Sequence, residues 1–392
     1  MSLNFSSLLT QYRAELLDCT IQFWLKYGVD WRNGGICTCV SDDGRVLSDD
    51  KYLWSQLRAI WTFSALYNKI ERRSEWLDVA LHIYNFVKKY GRDENGDWIF
   101  LVDRDGKPLQ GATSIYVDGF AIYGLTELAR ATNNPEVLAL ARETYARVRE
   151  KLVCSGSYPT APLPIPPGAK AHGISMIFAL AFDELGCYLN DQGISDAGSE
   201  HANQVMTVFR RPERKRLYEF VRLDDALLDA PGGRLVVPGH AIESMWFMIH
   251  IYQRLGDAKR VRQAIECIKW HIELGWDQDY GGIVRALDAE DISPWDKLSD
   301  GKIWWVHTEA LYALLLAYSI SKESWCLEWF QRVHDYSFSH FPAPQYGEWI
   351  QNLDRQGRKA ETVVALPVKD PFHLSRALIY CVLVLEKLAK ET

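Results

Sequence analysis

The chain has 392 residues, 48% hydrophobic and 24% charged, a balance that supplies a large core and excludes a disordered protein. Its 44 basic and 51 acidic residues leave a net charge of −7, and the dense basic run RRPERKR, Arg210 to Arg216, flanks a proline as a solvated loop, which argues against a nucleic-acid partner. No uncharged stretch reaches membrane-spanning length, and Arg13, Glu15 and Asp18 interrupt the block that a signal peptide keeps apolar, so the reading is a cytoplasmic protein with no membrane partner.

In chain order, apolar residues recur with helical period over 6–27, 51–70, 74–91, 113–132, 135–153, 170–190, 196–211, 239–256, 258–275, 303–321, 323–340 and 372–390. Copies of a short segment punctuate them: NGGICTCVSDDG from Asn33, NGDWIFLVDRDG from Asn95, a degenerate RLYEFVRLDDALLD from Arg216, YGGIVRALDAED from Tyr280 and YGEWIQNLDRQG from Tyr346. Glycine, an alternating run and acidic turn residues make the pattern of a small hairpin. Neighbouring copies are spaced by roughly 62 to 66 residues, with one double step from Asn95 to Arg216. That gap holds the Gly/Pro-rich loop CSGSYPTAPLPIPPGAK, where a sixth copy is due. Twelve helices in six pairs predict an all-α fold: one (α/α)6 barrel over residues 1–392, with short β-hairpins gathered at one mouth. The alternative, an open solenoid of tetratricopeptide type, has repeats of about 34 residues and no hairpins. The eight cysteines form no CxxC pair, so neither a metal site nor a disulfide framework is predicted.

If alternate helices line the barrel, a pocket at the mouth draws its side chains from the starts of the even-numbered helices. Those starts are rich in catalytic types of residue. The second carries Arg58 and Trp61 on one face, with Trp54 a turn earlier; the fourth, Tyr116 and Asp118; the sixth, His172. The eighth sets His240 and Glu243 at i, i+3, the tenth Trp305 and Glu309 at i, i+4, and the twelfth His373 and Arg376 at i, i+3. A lone helical histidine is usually a capping or packing residue, and His82, His201, His250, His271, His334 and His340 are read so. His307 points about 160° from Glu309 by helical rotation and is also read as structural. His240 and His373 stand apart because each opens a helix just after a proline-containing dipeptide and has an ionic neighbour one turn on. A helix N-terminus disfavours imidazolium, so both are expected to stay neutral and accept a proton near pH 7, with Glu243 fixing a tautomer or steadying the charge formed.

The ordered motifs WSQLRAIWTFS, PGHAIESMWF, WWVHTEAL, HDYSFSHF and FHLSRA resemble the N-acylglucosamine 2-epimerase family, which includes cellobiose 2-epimerases and mannose-type aldose–ketose isomerases. The resemblance spans essentially the whole chain and implies an (α/α)6 barrel, a two-histidine mechanism and an acyclic sugar intermediate. By position it implies that His240 and His373 are catalytic, Glu243 and Glu309 support them, and Arg58 contacts substrate. IWWVHTEAL and HDYSFSHF lie nearest the N-acylglucosamine branch, which implies interconversion of N-acetylglucosamine and N-acetylmannosamine. Two departures are evident. ETVVALPVKDPFHLSRA lacks that branch's Gly pair and has Pro371 in place of its Cys, and His172 falls one position off the MHL motif of the isomerase and cellobiose branch. The resemblance also leaves open a homodimer and the nucleotide activation of some relatives, which nothing in this sequence supports.

Inverting C2 of a reducing sugar requires removing a proton alpha to the aldehyde and returning one to the opposite face of the enediolate, so two histidines across a pocket suffice and no cofactor is needed. Arg58 and, second to it, Arg376 are the candidate donors to the enediolate, and Tyr116, Trp61 and Trp305 the candidate sugar-holding residues, with Asp118 and His172 as further contacts. Protonation at C1 would make the same site an aldose–ketose isomerase, acting on mannose, glucose or fructose, and cellobiose is a further substrate class. Two rival classes remain: an (α/α)6 glycoside hydrolase using Glu309 with Asp118 or Glu243, and a non-enzymatic helical scaffold.

Overall fold

A computed structural model describes residues 3–153, 158–229, 231–360 and 369–391. Among these, the helices are α1 (Phe5–Ala14, continuing through π-helical Glu15–Thr20, then Ile21–Phe23, then π-helical Trp24–Gly28), α2 (Leu53–Ala65), α3 (Ser74–Tyr90), α4 (Ile115–Thr132), α5 (Pro135–Lys151) and α6 (His172–Leu189). They continue as α7 (Gln192–Gln204), α8 (Pro238–Arg254), α9 (Ala258–Gly275), α10 (Trp304–Ser321), α11 (Ser324–His340) and α12 (His373–Glu391). All twelve predicted helices are present, with boundaries shifted by a few residues.

Two different kinds of connection set the architecture. Each even helix from α4 to α10 turns into the next odd one within a few residues. Asn133, Asn190 and Lys322 adopt left-handed φ at the ends of α4, α6 and α10, and Asn134, Asp191 and Asp257 cap α5, α7 and α9 by accepting backbone N–H groups. Such short links force antiparallel pairs. The even helices then pack side by side, α12 returning to α2, while α3, α5, α7, α9 and α11 each back onto the even helix before them and α1 backs onto α12. Burial follows this order: α10 is buried continuously from Val306 to Ala317, whereas α9 keeps a solvent face.

The long connections all lie at the opposite end and are more regular than predicted. Each repeat segment is not one hairpin but the strand shared by two successive turns. Val29 bridges Ile36 before Cys39–Val40 pairs with Val46–Ser48, Arg92 bridges Trp98 before Leu101–Val102 pairs with Pro108–Gln110, and Trp276 bridges Ile283 before Leu287 bridges Pro294. The last strand before an even helix then pairs with the segment of the next unit: Lys51–Tyr52 with Leu101–Val102, Ala169–Ala171 with Phe220–Arg222, Leu235–Val236 with Leu287–Asp288, and Lys302–Ile303 with Asn352–Leu353. Lys369 N–H donates to the Thr38 carbonyl at 2.8 Å and closes this belt on the first unit. Where a sixth segment was due, Thr160 bridges Ser114; Cys154–Ser157 of that loop lie outside the described residues.

Units one and five share a further device. Lys51 and Lys302, on the strands entering α2 and α10, are completely buried and paired with Asp30 at 2.8 Å and Asp277 at 2.9 Å in the turns that precede them. Burial holds the Lys302 ammonium below its usual pKa despite Asp277. Asp277→Asn would leave this buried cation with only the Asp300 and Arg355 carbonyls as partners and would also cost Arg355 its carboxylate, and urea denaturation is expected to show a loss of about 3 kcal/mol or more, part of it regained when Lys302→Met is added.

Candidate active site

Because the belt fixes the point at which each even helix begins, first-turn side chains of α8, α10 and α12 converge. His240 opens α8, Trp305 opens α10 and His373 opens α12. The Trp305 ring stands 5.2 Å from that of His240 at 27° and 5.5 Å from that of His373 at 36°, so one indole adjoins both imidazoles. Gly239 makes this possible: a Cβ there would lie 2.7 Å from the indole.

Behind His373 lies a buried ionic knot drawn from three helices. Glu309 Oε1 accepts from His373 Nδ1 at 2.8 Å and from Arg376 Nη2 at 2.8 Å, and its Oε2 accepts from Trp246 Nε1 at 2.8 Å. Arg376 Nη2 also bonds Glu243, whose carboxylate lies 3.9 Å from His373 Nδ1. A carboxylate only accepts, so Glu309 assigns the ring proton to Nδ1 and leaves Nε2 with its lone pair. Burial, opposed by Glu243 but reinforced by Arg376 and Arg58, pushes the pKa of His373 down to about 3. Glu243, Glu309 and His373 bring three ligand-type atoms within 4.8 Å of one another, yet the cation among them is the Arg376 guanidinium.

His240 is the opposite case. Its Nδ1 lies 3.2 Å from Glu219 Oε2, and its ring is 32% exposed. Withdrawal from water would lower its pKa, but the Glu219 carboxylate outweighs this and raises it. Glu219 is itself held well below the usual carboxylate range: burial would raise it, and the His240 and His172 imidazoles overcome that. Two expectations are revised here. The helix N-terminus does not set the direction of the His240 shift, since a full carboxylate charge beside it exceeds a half-charge dipole and raises the pKa. The hydrogen-bonded carboxylate partner of His240 is Glu219 from the belt; Glu243 turns to Arg376 and, as expected, helps to steady the His240 charge, but as a lesser contribution than Glu219.

The remaining predicted residues divide between the pocket and the frame. Arg58 faces the site, its guanidinium 4.0 Å from the Phe120 ring centroid and 3.3 Å from Asp370, with part of its surface open. Tyr116 is half-buried near Glu219, and burial followed by the Glu219 charge raises its hydroxyl pKa, so it stays a neutral donor. The other four are corrected. Trp61 gives its face to Tyr123, stacked at 5.2 Å and 12°, and is buried. Asp118 turns outward to Lys151 at 2.9 Å. Arg376 is 1% exposed and turns its Nη2 to two carboxylates in the wall, so it does not reach an enediolate. His172 has no exposed surface. His307 is structural as expected: it accepts Ile283 N–H at Nε2 and donates from Nδ1 to the Ile303 carbonyl, tying a turn to α10.

Glu219, Asp370 and Gly239 escaped the sequence reading. Glu219 sits in the degenerate repeat copy, one segment before α8, where the change from a glycine turn was itself a signal. Asp370 accepts from Ser55 Oγ at 2.8 Å, Arg58 and Phe372 N–H, and so anchors the start of α12 to α2. It stands just before Pro371, a position typical of helix entry. Glu361–Val368 of the departing stretch ETVVALPV lie outside the described residues.

Residues 34–377 match the model of the family described as N-acylglucosamine 2-epimerase (GlcNAc 2-epimerase). The chain is 32% identical to the N-acylglucosamine 2-epimerase of Bos taurus, with 94% of this chain and 89% of that protein covered. It is 27% identical to the cellobiose 2-epimerase of Ruminococcus albus, covering 94% and 97%. The crystal structure of a sugar epimerase from a ruminal bacterium shares the fold with a TM-score of 0.84 at 23% identity, covering 96% and 98%.

Arg376→Leu would leave two buried carboxylates facing each other. Denaturant unfolding is expected to show a loss of about 3–5 kcal/mol. In the folded fraction, the NMR titration midpoint of His373 should move upward, because one of the charges holding it down is gone.

Proposed function

This chain belongs to the N-acylglucosamine 2-epimerase family and is a sugar 2-epimerase, and on that premise we propose that it interconverts N-acetylglucosamine and N-acetylmannosamine by passing protons between C2 and His240 and His373. One observation carries the mechanism: two imidazoles flank a common indole, each has Nδ1 tied to a carboxylate, and neither Nε2 is bonded to protein among the described residues. Each ring thus offers Nε2 for proton exchange while its carboxylate steadies the imidazolium. In one direction neutral His373 removes the C2 proton of the open-chain aldose and protonated His240 delivers one to the other face of the enediolate. The reverse direction exchanges their roles. Arg58 is the cation available to the developing enediolate oxygen. A proton moves and no hydride does, so the reaction calls for no nicotinamide. The substrate assignment rests on the 32% identity to a named N-acylglucosamine 2-epimerase.

The geometry speaks against a glycoside hydrolase. Glu243 and Glu309 share one guanidinium deep in the wall, and Asp118 faces Lys151, so no two of these carboxyls stand free across the pocket.

Incubation in heavy water with N-acetylglucosamine, N-acetylmannosamine, glucose, mannose and cellobiose, followed by proton NMR, is expected to show C2 deuteration and epimer formation for the acylated pair. Exchange confined to the other sugars, or ketose formation, overturns the substrate assignment. His240→Ala and His373→Ala are each expected to lower epimerisation by about 10²–10⁴-fold; full turnover by either sinks the two-base mechanism. With His373 neutral across the working range, kcat/KM should fall as pH rises through the raised pKa of His240. Glu219→Gln removes the charge that raises it, so its alkaline limb should move to lower pH.

A further inference from the structure

His172 lies where no substrate reaches it, yet its surroundings are those of a working imidazole. The ladder that pairs Ala169 with Arg222, Lys170 with Val221 and Ala171 with Phe220 runs on to set His172 opposite Glu219, and His172 N–H donates to the Glu219 carbonyl at 2.9 Å. Opposed residues of an antiparallel pair share a face. The two side chains accordingly meet, with His172 Nδ1 3.8 Å from Glu219 Oε1. On the far side of the ring, Nε2 lies 3.0 Å from Ser244 Oγ on α8. His172 Nδ1 and Glu219 Oε1 are both buried, and neither has another hydrogen-bond partner among the described residues.

A buried carboxylate oxygen and a buried imidazole nitrogen left unsatisfied side by side are each other's natural partner. Resting on the reading of His240 as a proton carrier, we propose that His172 is a positioning residue acting through Glu219: Ser244 donates to Nε2, which directs the Nδ1 proton at Glu219 Oε1 and holds Oε2 against His240. The relay Ser244–His172–Glu219–His240 joins α6, the belt and the first turn of α8. The titratable groups around Glu219 are His240 from α8, His172 from α6, Tyr116 from α4 and His271 from α9. A carboxylate shared by two donors pulls less strongly on either, so removing the His172 donor leaves its charge to His240 alone, which then holds its proton more tightly.

The test compares His172→Phe, His172→Gln and Ser244→Ala with the unaltered chain, first by NMR titration of the His240 ring in substrate-free protein and then by kcat and KM. His172→Phe is expected to raise the His240 midpoint by about half a pH unit or more, and to lower kcat by about tenfold while KM changes less than about twofold. His172→Gln, which keeps an N–H donor, should return the midpoint towards its original value. Ser244→Ala should shift it in the same sense as His172→Phe, because without that hydroxyl the ring proton is free to leave Nδ1. An unmoved midpoint in folded His172→Phe, or a KM increase at constant kcat, overturns the relay. If His172→Phe does not fold, Ser244→Ala decides by the same criterion. A shifted midpoint in a protein that exchanges no sugar C2 proton would retain the relay and overturn the epimerase reading, and the converse result would do the opposite.

Discussion

The site is organised by one guanidinium. Arg376, buried among aromatic rings at the start of α12, serves Glu243 of α8 and Glu309 of α10 at once. Burial would disfavour its charge, and the two carboxylates outweigh that and raise its pKa. A buried ionic group of this kind is not the most stable filling for its volume, since apolar side chains would avoid the desolvation cost. What it does is couple three inner helices at the height of the pocket, so the spacing of His240, Trp305 and His373 depends on a single directional contact rather than on adaptable apolar packing. Glu309 then reads out that geometry by orienting His373 through Nδ1.

The two imidazoles are unequal. His373 lives among two guanidiniums in a dry wall and its pKa is pushed down to about 3, whereas His240 sits at the rim beside a carboxylate that raises its pKa. Two-base inversion at one carbon needs one empty and one loaded proton carrier at the start of each turnover, and identical environments would supply that combination less reliably.

The sequence carried the helices, their pairing and the mouth at which polar residues gather, because each depends on local periodicity and turn chemistry. Asn133–Asn134, Asn190–Asp191 and Gly256–Asp257 end one helix and cap the next with signals only a few residues long. What escaped depends on register between segments distant in the chain. Glu219 stands beside His172 because of a ladder between 169–171 and 220–222, and no spacing along the chain reveals that pairing. The same limit hid which carboxylate bonds His240: Glu243, at i, i+3, contributes its charge but gives its hydrogen bond to Arg376. Trp61 and Asp118 were misplaced because proximity to a helix start says little about whether a side chain points along the barrel axis or into the wall.

The belt has a consequence for how frame and site share the chain. Four even helices, α2, α6, α8 and α10, leave the rim from equivalent strands, and the next unit clamps each of these strands through its backbone rather than its side chains. The rim is therefore held without calling on the side chains of the first-turn positions, although Gly239 and Arg376 are fixed there by close packing and by charge. At three of those positions this chain keeps a histidine: His240 and His373 open to the pocket, and His172 withdrawn behind the rim. Frame and site are thus carried by different parts of the same segments, the frame by backbone and the site by side chains.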